Sequence, residues 1–95
     1  MRRARVDTGL GPISLPREAT VDLSLELLER GADGGRAARL LLQSLRDGTS
    51  VALDEAAAAV VVAALPEVAR RQPTPDRLFA LVDLRDALRS RREAA

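Results

Sequence analysis

The hydrophobic pattern begins abruptly. Residues 1–12 show no periodicity; Arg2, Arg3 and Arg5 are followed by Gly9, Gly11 and Pro12. This predicts a flexible basic arm, with room for one extended stretch, ahead of a single helical domain over 13–95. Pro16 suits a helix start and Gly31 a stop. Between them Val21, Leu23, Leu25 and Leu27 alternate like a strand. At 100° per residue, however, Glu18, Asp22, Glu26 and Glu29 fall within an arc of about 80°. Leu and Glu also favour helix, so a helix is expected here.

Gly31-Ala32-Asp33-Gly34-Gly35 reads as a turn, with Asp33 capping a second helix that runs to Asp47 and stops at Gly48. Ala38, Leu41, Leu42 and Leu45 form its apolar stripe, and Leu40 projects from the polar side. Asp54 reads as the cap of a third helix, in which Ala56 to Leu65 is apolar all round, as in the centre of a bundle. Val60-Val61-Val62 keeps a buried strand open as the minority reading there, and Pro66 either kinks or restarts the helix. Thr74-Pro75-Asp76 is a strong helix start. The last helix carries Leu81, Leu84 and Leu88 on one stripe, with Phe79 and Val82 beside it. The expected fold is all-α: a small bundle of four to five short helices. The lead-ins Ile13-Ser14-Leu15 and Val51-Ala52-Leu53 share an outline and are expected to form, at most, a minor two-stranded extended element.

Composition narrows the chemistry. Among the 95 residues there is no Lys, His, Cys, Trp, Tyr or Asn; Phe79 is the only aromatic, and all fifteen basic residues are Arg. This drift toward Arg, Ala, Leu, Val and Gly points to a GC-rich bacterial genome. There is no side chain that titrates near neutrality unperturbed, no thiolate and no Schiff-base lysine. Asp, Glu, Ser, Thr and Arg remain, so no enzyme activity and no cofactor is expected. The net charge of +1 gives no global field toward nucleic acid or anionic membrane. No apolar stretch follows the basic N-terminus to make a signal peptide, and Ala56 to Leu65 is far short of the roughly 20 residues of a membrane span. A cytoplasmic protein with no membrane partner is expected, and Met1 suggests a complete small protein.

Several clusters are candidate sites. Gly34-Gly35-Arg36 with Arg39 would offer helix N–H groups and guanidinium groups to an anion; an ordinary glycine turn is the plainer reading. Arg85, Arg89 and Arg92 share a face of the last helix, with Asp86, Asp83 and Glu93 close enough in sequence to neutralise them. Asp22, Glu26 and Glu29 read first as a solvated face and second as an acidic docking surface for a basic partner; too few oxygens converge for a hard cation, so no metal site is expected. Leu40, Phe79 and Val82 lie off the main stripes and, with Arg85 and Arg89, are the expected partner-binding residues.

Two resemblances are local. Asp7-Thr8-Gly9, preceded by Val6, resembles the Asp-Thr-Gly of aspartic proteases, which implies a dimer with paired carboxylates; the bland reading is an Asp/Gly turn. Residues 13–47, with Ile13-Ser14-Leu15-Pro16, a helix, a glycine turn and Arg36-Ala37-Ala38-Arg39-Leu40-Leu41, resemble the ribbon-helix-helix family of bacterial repressors and antitoxins. That resemblance implies a dimer whose strands pair and read the major groove, with Ser14 toward the bases and Gly34-Gly35-Arg36 on a phosphate. Gly11-Pro12 interrupts the strand, and the alternating basic or polar residues of a base-reading ribbon are missing. The leading expectation is therefore a non-catalytic protein-interaction module, an adaptor, assembly factor or regulatory subunit, whose partner is another protein or a second copy. A DNA-binding regulator is the alternative.

Overall fold

The computed structural model describes residues 3–9 and 11–94, with side chains through Arg91. Its elements run β1 (Arg3–Asp7), β2 (Pro12–Pro16), α1 (Arg17–Leu28), α2 (Gly31–Asp47), β3 (Ser50–Ala52), α3 (Glu55–Arg70) and α4 (Pro75–Ala94). Four helices dominate, but a three-stranded mixed sheet of order β2-β1-β3 stands beside them. The all-α expectation is corrected by that sheet. The two lead-ins do become strands, yet they do not pair with each other, because β1 lies between them: antiparallel to β2 and parallel to β3.

Within the stretch read as a basic arm, residues 3–7 form a paired strand. Arg3-Ala4-Arg5-Val6-Asp7 alternates outward and inward, so that Ala4 and Val6 are fully buried while Arg3, Arg5 and Asp7 face solvent. A strand needs only this period of two to bury one face. The β1–β2 hairpin closes through the Thr8 N–H on the Gly11 carbonyl, with Gly9 and Gly11 both at positive φ, where a Cβ would be strained.

Hydrogen-bonding sides alternate along an antiparallel pair, and the Thr8–Gly11 bond sets the phase. Asp7–Pro12, Arg5–Ser14 and Arg3–Pro16 then occupy the positions whose backbone groups point away from the partner strand. Arg5 bears this out: its N–H donates to Ser44 Oγ of α2 (2.8 Å), and the Ser44 hydroxyl also lies against the Arg5 and Thr49 carbonyls. On the opposite side, Pro12 and Pro16 bring no N–H to the outer edge of β2, and the Pro16 carbonyl accepts from Thr20 Oγ1. Proline at outward-facing edge positions costs no ladder bond and blocks a further strand from adding.

α1 and α2 are joined by Glu29 and Arg30 alone, and α2 starts at Gly31 rather than after a glycine turn. Gly34 makes the tight crossing feasible: a Cβ there would sit 2.1 Å from the Leu27 carbonyl oxygen. α2 ends on Gly48 in the left-handed conformation, and α3 is capped by Asp54, whose carboxylate accepts the Ala57 N–H at 2.8 Å. The stretches 20–27 and 58–63, where strand was the alternative, are both helical, and α3 passes through Pro66 without ending. The core is one cluster of small and branched side chains, among them Leu15, Leu23, Leu41, Val61, Leu65, Leu84 and Leu88. α2 packs on α1, α3 and β1; α4 packs on α3, β2 and more lightly on α1.

Candidate functional site

The anion site expected at the start of α2 is not assembled. The free N–H groups of a helix lie in its first turn; in α2 they fall on Gly31 to Asp33, the Arg30 N–H donating to the Leu27 carbonyl at 3.0 Å. Gly34 and Gly35 come after them, Gly34 buried against α1. Asp33 lies in the first turn instead of capping it, and Arg36 donates to both Asp33 (3.2 Å) and Asp54 (3.0 Å). Arg36 thus bridges the start of α2 to the cap of α3, while Arg39 points into solvent from the next turn.

The partner-binding set divides. Leu40 is half-buried and packs against the core, whereas Leu42, expected inside, is 39% exposed. Leu40 flanks the buried stripe on its Ala37–Ser44 side, where Ser44 meets β1, and Leu42 flanks it on the other. On α4, Phe79 is 60% exposed. Val82, one turn on, is half-buried and lines a shallow depression with Leu65, Pro66, Ala69, Leu81 and Arg85. Arg85 is paired with Asp86 at 3.2 Å, and Arg89 is exposed. Phe79, Val82, Arg85 and Arg89 therefore belong to one helix surface, to which Leu40 does not contribute. Arg92 lies beyond the described side chains.

Asp7-Thr8-Gly9 forms the hairpin turn: Asp7 Oδ1 accepts the Gly9 N–H at 3.0 Å and Thr8 Oγ1 bonds the Gly11 carbonyl. The strand-helix-helix order of residues 12–47 is present. β2, however, is paired with β1 of its own chain along its whole length, and its outer edge is closed by two prolines.

The acidic face of α1 is built into the tertiary structure more than a solvated face would be. Glu26, largely buried, takes Arg30 (3.2 Å) and Arg71 (3.2 Å). Asp22 accepts from the amide of Gln72, and Glu18 stands 3.9 Å from Arg77. Asp22, Leu25, Glu26, Glu29 and Arg71 line a groove of about 240 Å³. Leu25 and Leu28, exposed to 59% and 54%, were not singled out by pattern alone. The signal for Leu25 was the strand-like alternation of α1, and for Leu28 its place three residues on from Leu25. Residues two apart on a helix are about 200° apart, so alternating leucines on a helix occupy opposite faces.

Among the described residues no group of His, Cys, Asp and Glu could hold a metal ion, and no helix is long and apolar enough to cross a membrane. Comparison with protein-family models, curated proteins and solved structures finds no match to this chain.

Proposed function

We propose that this chain is a non-catalytic interaction module that acts by binding a protein partner or a second copy of itself. One observation carries the reading: the only aromatic residue, Phe79, stands largely in solvent on α4 while the core is filled with Ala, Val and Leu. Burying a phenylalanine stabilises a fold by about 1.5–3 kcal/mol, a gain a domain this small leaves unused in isolation. A large rigid side chain at the surface, with half-buried Val82 and the α3–α4 depression beside it, has the make-up of a contact anchor. The limited chemistry of the side chains supports the same reading, as does Arg85, whose charge is already engaged by Asp86.

The test is capture from lysate with tagged chain and its Phe79→Ser variant, with and without nuclease and at two salt concentrations, alongside sedimentation of the purified chain. A discrete protein, or a dimer, that survives nuclease and salt and is lost in Phe79→Ser is expected. Recovery of nucleic acid alone, lost at higher salt, would overturn the reading in favour of a DNA-binding regulator.

A further inference from the structure

α1 has two opposed apolar faces. Ala19, Leu23 and Leu27 point into the core; Val21, Leu25 and Leu28, at i, i+4 and i+7, form a second stripe on the far side. Val21 is half-buried at one end of that stripe, and the two leucines are more than half exposed. Spacing of this kind is the ridge that a second helix packs against. Alongside it run Glu18, Asp22 and Glu29, and the groove lined by Asp22, Leu25, Glu26, Glu29 and Arg71 opens between the stripe and the end of α3.

We propose that this face of α1 docks a basic amphipathic helix of a partner protein, whose leucine-like residues meet Leu25 and Leu28 and whose Arg or Lys enters the groove toward Asp22 and Glu29. Charge decides the occupant. The guanidinium group that lines the groove, Arg71, is held by Glu26, which also holds Arg30, the residue after Glu29. Among the described residues Glu29 has no ion-pair partner, and Asp22 has only the neutral Gln72 amide. The local excess is negative in a chain whose net charge is +1. The groove is smaller than the roughly 300 Å³ at which small-molecule sites begin, and suits one long side chain. The backbone of α1 is bonded within the helix, so no strand can add here, and helix-in-groove recognition is the mode that fits. This proposal rests on the interaction-module reading but uses residues independent of Phe79.

The experiment is a fluorescence anisotropy titration of the full chain against two synthetic amphipathic helices with the same leucines. One carries Arg at the flanking positions, the other Glu. The Arg peptide should bind, and the Glu peptide should bind at least about tenfold more weakly. Leu25→Ser with Leu28→Ser should weaken the Arg peptide by at least about tenfold, and Asp22→Asn with Glu29→Gln should erase the difference between the peptides. No binding of the Arg peptide, equal binding of both, or indifference to these substitutions overturns the proposal. So does a dimer of the chain that is lost on the leucine substitutions, because the face would then belong to a second copy. Thermal unfolding of each variant checks that the fold is intact. If capture depends on Phe79 while the α1 variants behave as wild type, the module reading stands and only this inference fails.

Discussion

Gly34 and Gly35 are neighbours in α2 with opposite environments. A Cβ at Gly34 meets the Leu27 carbonyl at 2.1 Å, while one at Gly35 meets nothing within 4 Å. Gly34→Ala is expected to destabilise by about 1–3 kcal/mol or more, since backbone has to move. Gly35→Ala is expected to stabilise by about 0.5–1 kcal/mol through lower unfolded-state entropy and better helix propensity. Urea unfolding of the pair reads both signs. Ser44 is the polar counterpart. Its buried hydroxyl accepts the Arg5 N–H and reaches two carbonyls, so Ser44→Ala should cost about 1–3 kcal/mol by stranding a buried donor. Nothing in the sequence distinguishes Ser44 from other helical serines; its role exists only because β1 lies against α2.

At the scale of elements, β1 is the piece on which the sheet depends, since β2 and β3 touch each other only through it. Deleting residues 1–8 is expected to abolish cooperative unfolding followed by circular dichroism, where a flexible arm could be removed without loss. The helices were more legible than the strands. Asp54, Gly48 and Pro75 mark ends by side-chain and backbone chemistry that acts locally, and each stands at a helix boundary. Asp54→Ala should cost about 1 kcal/mol from the lost cap, with the loss of Arg36 adding little because that pair is exposed. β1 was missed because its inward residues are only Ala4 and Val6, too small and too few to register as a strand amid arginines of weak β-propensity.

For the whole molecule, the exposed apolar residues separate stability from function. Phe79→Ser, and Leu25→Ser with Leu28→Ser, are expected to change unfolding free energy by no more than about 0.5 kcal/mol per site, as surface substitutions do, while changing what the chain binds. A large loss of stability in any of them would mean that the side chain belongs to the core. Of the residues expected to meet a partner, Phe79, Val82, Arg85 and Arg89 share one face of α4, as their spacing required. Leu40 could not be placed from spacing, because Leu40 and Leu42 flank the buried stripe of α2 at about equal angles and only the neighbouring elements decide which is covered.

The sequence by itself determined the starts of α3 and α4 and the stop of α2 at Gly48, because caps, prolines at a first turn and left-handed glycines act locally. Tertiary structure decided which of two apolar faces on α1 is core and which is open. Val21, Leu23, Leu25 and Leu27 alternate equally well for a strand and for a helix with apolar residues on both sides. Only the position of α2, set by the close approach at Gly34, and of α3 fixes Leu23 and Leu27 inside and leaves Leu25 in solvent. The order β2-β1-β3 was decided in the same way. Strand pairing joins residues distant in sequence, and for strands of three to five residues the pattern specifies an inward face but not a neighbour.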